Sequence, residues 1–123
     1  MSNPVGWFEI YVQDMKRAKT FYEAVFGFTL ARMEMPGMEM WAFPMEQQGA
    51  SGISGALIRM QGLASGGNST IVYFSCKDCG VEAVKAARAG GSIHKDKTSI
   101  GEHGFFALVL DTEGNMIGLH SMA

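Results

Sequence analysis

Apolar and polar positions alternate over Trp7–Val12, a pattern that predicts a β-strand. Asp14 follows as a suitable helix N-cap. Arg17, Ala18, Phe21, Tyr22, Val25 and Phe26 then recur at helical spacing as far as Gly27, a residue suited to closing a helix. Strands are expected near 28–33, 38–44 and 53–60, with Pro36-Gly37 turning the first into the second. Gly62 to Asn68 reads as a loop and a boundary. The plan then repeats. A strand covers 70–76, and a helix near 79–89 places Val81, Val84 and Ala87 on one face. Gly90-Gly91 stop that helix, and strands follow near 92–95, 104–110 and 115–121.

The repetition is visible residue by residue. Gly6-Trp-Phe-Glu-Ile-Tyr-Val-Gln-Asp14 returns as Thr70-Ile-Val-Tyr-Phe-Ser-Cys-Lys-Asp78, an offset of 64, and Gly27 against Gly91 keeps it. Gly52-Ile-Ser-Gly-Ala-Leu-Ile-Arg-Met60 lies against Gly114-Asn-Met-Ile-Gly-Leu-His-Ser-Met122 at an offset of 62. Two copies are too few for a solenoid. They imply two strand–helix–strand–strand–strand modules, about 1–62 and 69–123, in one α+β domain spanning 1–123. Helices cover one face of each sheet, and the free faces become the natural place for a site.

Composition narrows the functional classes. Hydrophobic residues make up 47% of the chain and charged residues 18%, as in a globular protein rather than a disordered one. The net charge of −2 and the lack of a basic run give no footprint for nucleic acid or an anionic membrane. No apolar stretch approaches a membrane span and Met-Ser-Asn-Pro opens no signal peptide, so a cytoplasmic protein is expected. Cys76-Lys-Asp-Cys79 lacks a second pair of ligands and reads as reduced, structural thiols. Ten methionines are unusual, five of them between Met33 and Met45. Flexible thioethers suit a core or subunit interface first, with a pliable ligand pocket as the alternative.

Asp14-Met-Lys-Arg-Ala-Lys-Thr-Phe-Tyr-Glu-Ala-Val-Phe-Gly27, the hairpin segment Gly104-Phe-Phe-Ala-Leu-Val-Leu-Asp-Thr-Glu-Gly-Asn115 and the duplication together carry a resemblance. The chain resembles the vicinal oxygen chelate superfamily of glyoxalase I, bleomycin-resistance proteins and extradiol dioxygenases. The resemblance implies a cupped mixed sheet built from two tandem βαβββ modules, the glyoxalase-like fold, usually in a homodimer. In metal-dependent members it also implies four ligands from the first and fourth strands of each module. Those positions here are Trp7, Ala56, Ile71 and Gly118, none of which offers a metal donor. No cofactor is therefore expected. The alternative is a divalent metal on shifted ligands: Glu9, His120 and Glu102 or His103.

Strand periodicity defines the rest of the candidate site. Residues i and i+2 share a face, so Trp7, Glu9, Tyr11, Tyr73, Ser75, Met116 and His120 are expected to point inward. An aromatic, apolar surface with a few polar tips is the usual make-up of a small-molecule site. Glu9 and His120 are the candidate acid/base groups. Glu9 is expected to lose solvation between aromatics, raising its pKa. Its alternative is a carboxylate satisfied by neighbouring donors, and that of His120 a hydrogen-bonded structural imidazole. Trp7, Tyr11, Tyr73, Ser75, Met116 and His103 are the candidate substrate contacts, His103 from a Gly-flanked loop. His94, beside Lys95-Asp96-Lys97, reads as surface, and Asp111-Thr112-Glu113-Gly114 as turn chemistry. The expected function is binding or transformation of a small apolar or aromatic compound. A metal-dependent lyase or dioxygenase and a non-catalytic interaction module are the alternatives.

Overall fold

The computed structural model describes residues 3–45, 53–67 and 69–123. Gly52 and Asn68, named above in the repeat and the boundary loop, lie outside them. The fold is α+β, and both modules follow the βαβββ plan: β1 (Val5–Tyr11), α1 (Met15–Phe26), β2 (Ala31–Met35), β3 (Met38–Ala42) and β4 (Ser54–Arg59), then β5 (Thr70–Ser75), α2 (Cys79–Arg88), β6 (Ser92–Ser99), β7 (Phe105–Leu110) and β8 (Met116–Ser121). Two compact units result, one of Trp7–Thr70 and one of Met1–Gly6 with Ile71–Ala123. Among the described residues no helix is long and apolar enough to cross a membrane.

In the unit Trp7–Thr70 the strand order is β2-β3-β4-β1, with β1 parallel to β4 and the other pairs antiparallel. Asp14 caps α1 by accepting the Arg17 N–H at 3.0 Å. Gly27 closes it at φ 74°, its N–H donating to the Glu23 carbonyl. The Glu23 carboxylate then accepts the Leu30 N–H at 2.8 Å and fixes the path into β2. On the helix side, buried Met15, Leu30 and Leu57 gather Ile10, Ala18, Tyr22, Trp41 and Phe43. Leu57 is fully buried, a burial that contributes about 1.5–3 kcal/mol. Gly55 lies beneath Phe8, where a Cβ would stand 2.4 Å from the Phe8 carbonyl oxygen and 2.6 Å from its ring.

The α1 face differs from the sequence expectation. Met15, Ala18 and Tyr22 pack inward, whereas Phe21, Val25 and Phe26 are 58%, 56% and 62% exposed. Phe21 stands edge-on to Tyr22, and Phe26 stacks on Tyr22 and Phe28. The helical apolar stripe is wider than the sheet beneath it, so its outer half stays in solvent.

In the second unit the strand order is β5-β8-β7-β6, with β5 parallel to β8 and the other pairs antiparallel. Asp78 caps α2 by accepting the Gly80 N–H at 3.0 Å, and Lys97 reaches the same carboxylate oxygen at 2.8 Å. That contact holds the Asp78 carboxyl below the usual carboxylate range, with the Gly80 N–H adding to the effect. The expected face Val81, Val84 and Ala87 is corrected to Cys79, Ala83 and Ala86, which pack on Ala107, Val109 and Leu119. Small side chains let the helix approach the sheet, and the valines are left outside. Gly91 donates to the Ala86 carbonyl at 2.9 Å, and a Cβ on it would meet the Leu110 carbonyl oxygen at 2.3 Å. The strand expected at 92–95 runs on to Ser99, with register shifts against β7 at Ile93/Lys95 and Lys95/Thr98.

Candidate functional site

On the first sheet the pairings Trp7↔Ser54, Glu9↔Ala56 and Tyr11↔Ile58 place Trp7, Glu9 and Tyr11 on one face. Met40↔Ile58, Met33↔Met40 and Met35↔Met38 carry that face across to β2. It is the face away from α1, since Ile10, Leu57 and Trp41 alternate to the helix side. Met40, Ala56 and Ile58 form its buried floor, with Trp7, Tyr11, Met33, Met35 and Met38 packed against them. The methionines between Met33 and Met40 thus line the free face, while Met45 is exposed beyond β3.

Glu9 is the polar centre of this surface. The Trp7 indole N–H donates to Oε2 at 3.2 Å, and the Tyr11 hydroxyl donates to Oε1 at 2.7 Å. All three side chains are partly buried. Because the donors sit two residues before and after the carboxylate, one strand face builds the whole trio. Burial pushes the Tyr11 phenol far above its ordinary range, and the charge of Glu9 and their hydrogen bond push it further. Tyr11 therefore keeps its proton and stays a donor.

On the second sheet Tyr73↔Gly118 and Ser75↔His120 place Tyr73, Ser75 and His120 on the face away from α2. Met116 shares it through Leu110↔Met116, and so do Phe106 and Leu108, which lie opposite His120 and Gly118. Tyr73 is buried with its ring over Gly118, where a Cβ would lie 2.3 Å from the ring. Ser75 is exposed; its N–H donates to the Pro4 carbonyl at 2.7 Å, and a Cβ on Gly6 would meet its hydroxyl at 2.5 Å.

His120 Nε2 lies 2.6 Å from the His103 carbonyl oxygen. A carbonyl can only accept, so Nε2 carries the proton in this contact, which leaves Nδ1 as the acceptor whenever the ring is neutral. His103 ends a 3-10 turn, Gly101–His103; its ring is half exposed and 3.7 Å from Glu102. Its observed role is through the backbone. Gly104 at φ 96° brings this loop against the Ser121 carbonyl, where a Cβ would stand 2.4 Å away.

At the positions that the resemblance implies for metal ligands, Trp7, Ala56, Ile71 and Gly118 offer no donor to a divalent metal, and Ala56, Ile71 and Gly118 are buried. Among the described residues no three His, Cys, Asp or Glu side chains gather to hold an ion. Asp111 binds its own turn, accepting the N–H groups of Glu113 and Asn115 at 2.8 and 2.9 Å. Both cysteines are free, Cys79 buried and Cys76 partly so. Burial raises the Cys76 thiol pKa, helped by Glu82 and Cys79. An open groove of about 750 Å³ in the second unit is lined by Phe74, Ser75, Cys76, Glu82, Lys85 and Leu119 among others; Tyr73, Met116, His103 and His120 do not line it.

The signal for Phe106 and Leu108 was cross-strand register, which β7 conceals because it is apolar on both faces. Pairing β7 against β8 from the Asp111–Asn115 turn would have located them.

Residues 5–42 match the family model described as bleomycin resistance protein-like N-terminal. CFP32, a protein named as a glyoxylase in Mycobacterium bovis and Mycobacterium tuberculosis, is 31% identical over 109 residues, 88% of this chain. The chain spans about 40% of the length of those relatives. Among solved structures, methylmalonyl-CoA epimerase from Mycobacterium tuberculosis is similar at a TM-score of 0.69 and 14% identity, covering 100% of this chain and 92% of that one. The hypothetical protein BH1468 from Bacillus halodurans gives 0.72 at 12% identity, covering 98% and 95%. The duplicated βαβββ plan and these likenesses in fold and sequence support placing the chain in the vicinal oxygen chelate superfamily.

Proposed function

We propose that this protein binds a small organic molecule with an apolar or aromatic body on the helix-free face of its first sheet, and that Glu9 supplies the polar contact. The observation that carries the reading is the Glu9 carboxylate held between the Trp7 indole and the Tyr11 hydroxyl on a floor of Met40, Ala56 and Ile58. Rings and thioethers supply adaptable apolar contact, and a carboxylate among them accepts one directed hydrogen bond or a proton. A ligand with an N–H, O–H or acidic C–H beside an apolar body fits that chemistry. On the second unit, Tyr73, Ser75, Met116 and His120 on the free face of its sheet, with His103 beside His120, are proposed as a separate small-molecule contact surface, on which Nδ1 of His120 is the acid/base group.

The reading is supported by what the neighbours are: Streptomyces coelicolor methylmalonyl-CoA epimerase is solved with 2-nitronate-propionyl-CoA. It requires no resident metal, given the donor set. We further propose a cytoplasmic homodimer, because exposed Phe21, Val25 and Phe26 form an apolar strip on α1 that pairing would cover. The test is a fragment screen by ligand-detected NMR on wild type, repeated on Glu9→Gln and Tyr11→Phe. Hits that weaken at least tenfold in Glu9→Gln support the reading. Hits indifferent to both substitutions would remove Glu9 from the site.

A further inference from the structure

The β2–β3 hairpin presents four thioethers to one side. On its helix-free face, the positions from Met33 to Met40 are Met33, Met35, Met38 and Met40, and all four are methionine. They are not staggered along the strands: Met33 lies directly opposite Met40, and Met35 directly opposite Met38. Facing residues in an antiparallel pair have Cβ atoms about 5 Å apart, and same-face neighbours along a strand are about 7 Å apart. Four Cβ atoms therefore mark the corners of a small rectangle, and each sulfur sits two bonds beyond its corner on a flexible chain. The Pro36-Gly37 turn, with Gly37 at φ 77°, closes the hairpin immediately beyond the Met35–Met38 pair.

Packing alone does not call for this choice. Strands favour β-branched and aromatic residues, and methionine specifies a core poorly because its chain is flexible. The opposite face of the same hairpin carries Arg32, Glu34, Glu39 and Trp41, so the methionines are confined to one side. Met40 is buried, and Met33, Met35 and Met38 pack at partial exposure on the floor that it shares with Ala56 and Ile58. The four side chains thus pack in an apolar setting, three of them partly exposed. Trp7 packs against the same floor and adds a π-face that attracts cations.

We propose that the hairpin is a soft-metal site that binds one monovalent d¹⁰ ion, Cu(I) or Ag(I), through the thioethers of Met33, Met35, Met38 and Met40. Neutral thioethers are soft donors that select such ions and bind hard divalent cations poorly. The site owes nothing to the superfamily's ligand positions, and it stands independently of the organic ligand proposed for Glu9.

The test uses the full chain and the metal alone. Ag(I) is titrated by calorimetry, and Cu(I) by competition with a chromophoric chelator under anaerobic, reducing conditions. Beyond any ion taken by the free thiols of Cys76 and Cys79, one ion should bind per chain with a dissociation constant of about 1 μM or tighter, and Zn(II) should not compete. Met33→Leu, Met35→Leu, Met38→Leu and Met40→Leu combined should weaken binding at least 100-fold, while a swap of similar volume keeps the fold. Should the fourfold variant fail to fold, Met35→Leu and Met38→Leu made singly should each weaken binding about tenfold. Cys76→Ser with Cys79→Ser should leave affinity unchanged. Loss of binding in the cysteine variant with retention in the methionine variants would overturn the proposal. So would no saturable binding of either ion, or Zn(II) displacing it.

Discussion

The Tyr11 hydroxyl donates to Glu9 Oε1 at 2.7 Å, and the same contact that anchors the carboxylate holds the phenol proton in place. Burial, the Glu9 charge and this hydrogen bond all raise the Tyr11 pKa in the folded state. A raised folded pKa contributes stability that is fully present below the unfolded value, about 10 for tyrosine, and is lost as pH rises above it. Wild type should therefore lose stability in alkali more steeply than Tyr11→Phe, and Glu9→Gln should let Tyr11 ionise at lower pH. Tyrosinate absorbance and denaturant melts across the alkaline range check both. Identical alkaline profiles for wild type and Tyr11→Phe would contradict this.

Glu9→Gln and Glu9→Leu should separate in stability. Glutamine can turn its carbonyl to the Trp7 N–H and its amide to the Tyr11 oxygen, whose hydroxyl rotates to accept. Its melting temperature should match or exceed that of wild type, since a partly buried charge is removed. Leucine leaves both donors without this acceptor and should cost about 2 kcal/mol. Thermal melts decide between them. A large loss in Glu9→Gln would mean that the ionised carboxylate holds a wider structural network.

Gly118→Ala should destabilise the second sheet by about 1–3 kcal/mol, the usual range for overpacking. The added Cβ would lie 2.3 Å from the Tyr73 ring, which is buried directly across from it. Tyr73→Ala should relieve that clash, so the double variant should be less destabilised than the two single costs added. Chemical denaturation of all three variants gives the coupling, and strict additivity would contradict the contact.

Asp78 links the α2 cap to β6 through Lys97 at 2.8 Å. Its pKa is lowered in the folded state, first by Lys97 and then by the Gly80 N–H. The stability it contributes is present above the unfolded value of about 3.9 and is lost as pH falls below it. Asp78→Asn retains a capping side chain without a titrating charge. Its acid denaturation should be shallower than that of wild type, while its stability at neutral pH falls. Parallel acid profiles would show that the Lys97 contact does not couple to folding.

What could be seen in the sequence divides by element. A strand's period of two fixes faces within that strand, which is why Trp7, Glu9 and Tyr11, and likewise Tyr73 and Ser75, share faces as their spacing implied. The Asp14 and Asp78 caps were equally legible, since each aspartate precedes its helix directly. Helix faces were not. Val81 and Val84 outrank Ala83 and Ala86 in hydrophobicity, but close approach to the sheet selects small side chains, and no single-chain pattern reveals that distance. The extension of β6 over Asp96–Ser99 was hidden because an edge strand with exposed polar residues needs no alternation. Within the site, the Glu9 trio lay on one short strand and was readable. The His120 contact with the His103 backbone was not, because it depends on how the loop folds at Gly101 and Gly104.

The proposed homodimer has a specific surface to test. Phe21, Val25 and Phe26 follow one another around the outer side of α1, each more than half exposed, although Tyr22 and Phe28 hold two of the rings by edge or stacking contacts. Preorganised exposed rings of this kind are what a self-complementary two-fold contact buries. Charge does not oppose pairing, since the chain carries a net charge of only −2. Sedimentation should give twice the chain mass of 13.3 kDa at micromolar concentration. Phe21→Ser combined with Phe26→Ser should shift the equilibrium towards monomer by about tenfold or more, because interface aromatics dominate binding energy. Since both side chains are already solvent-exposed in the single chain, the fold should survive, and circular dichroism can confirm it. A wild-type protein that stays monomeric as concentration rises would refute the dimer. A dimer indifferent to the double substitution would move the contact away from α1 and direct the search to the edge strand β2.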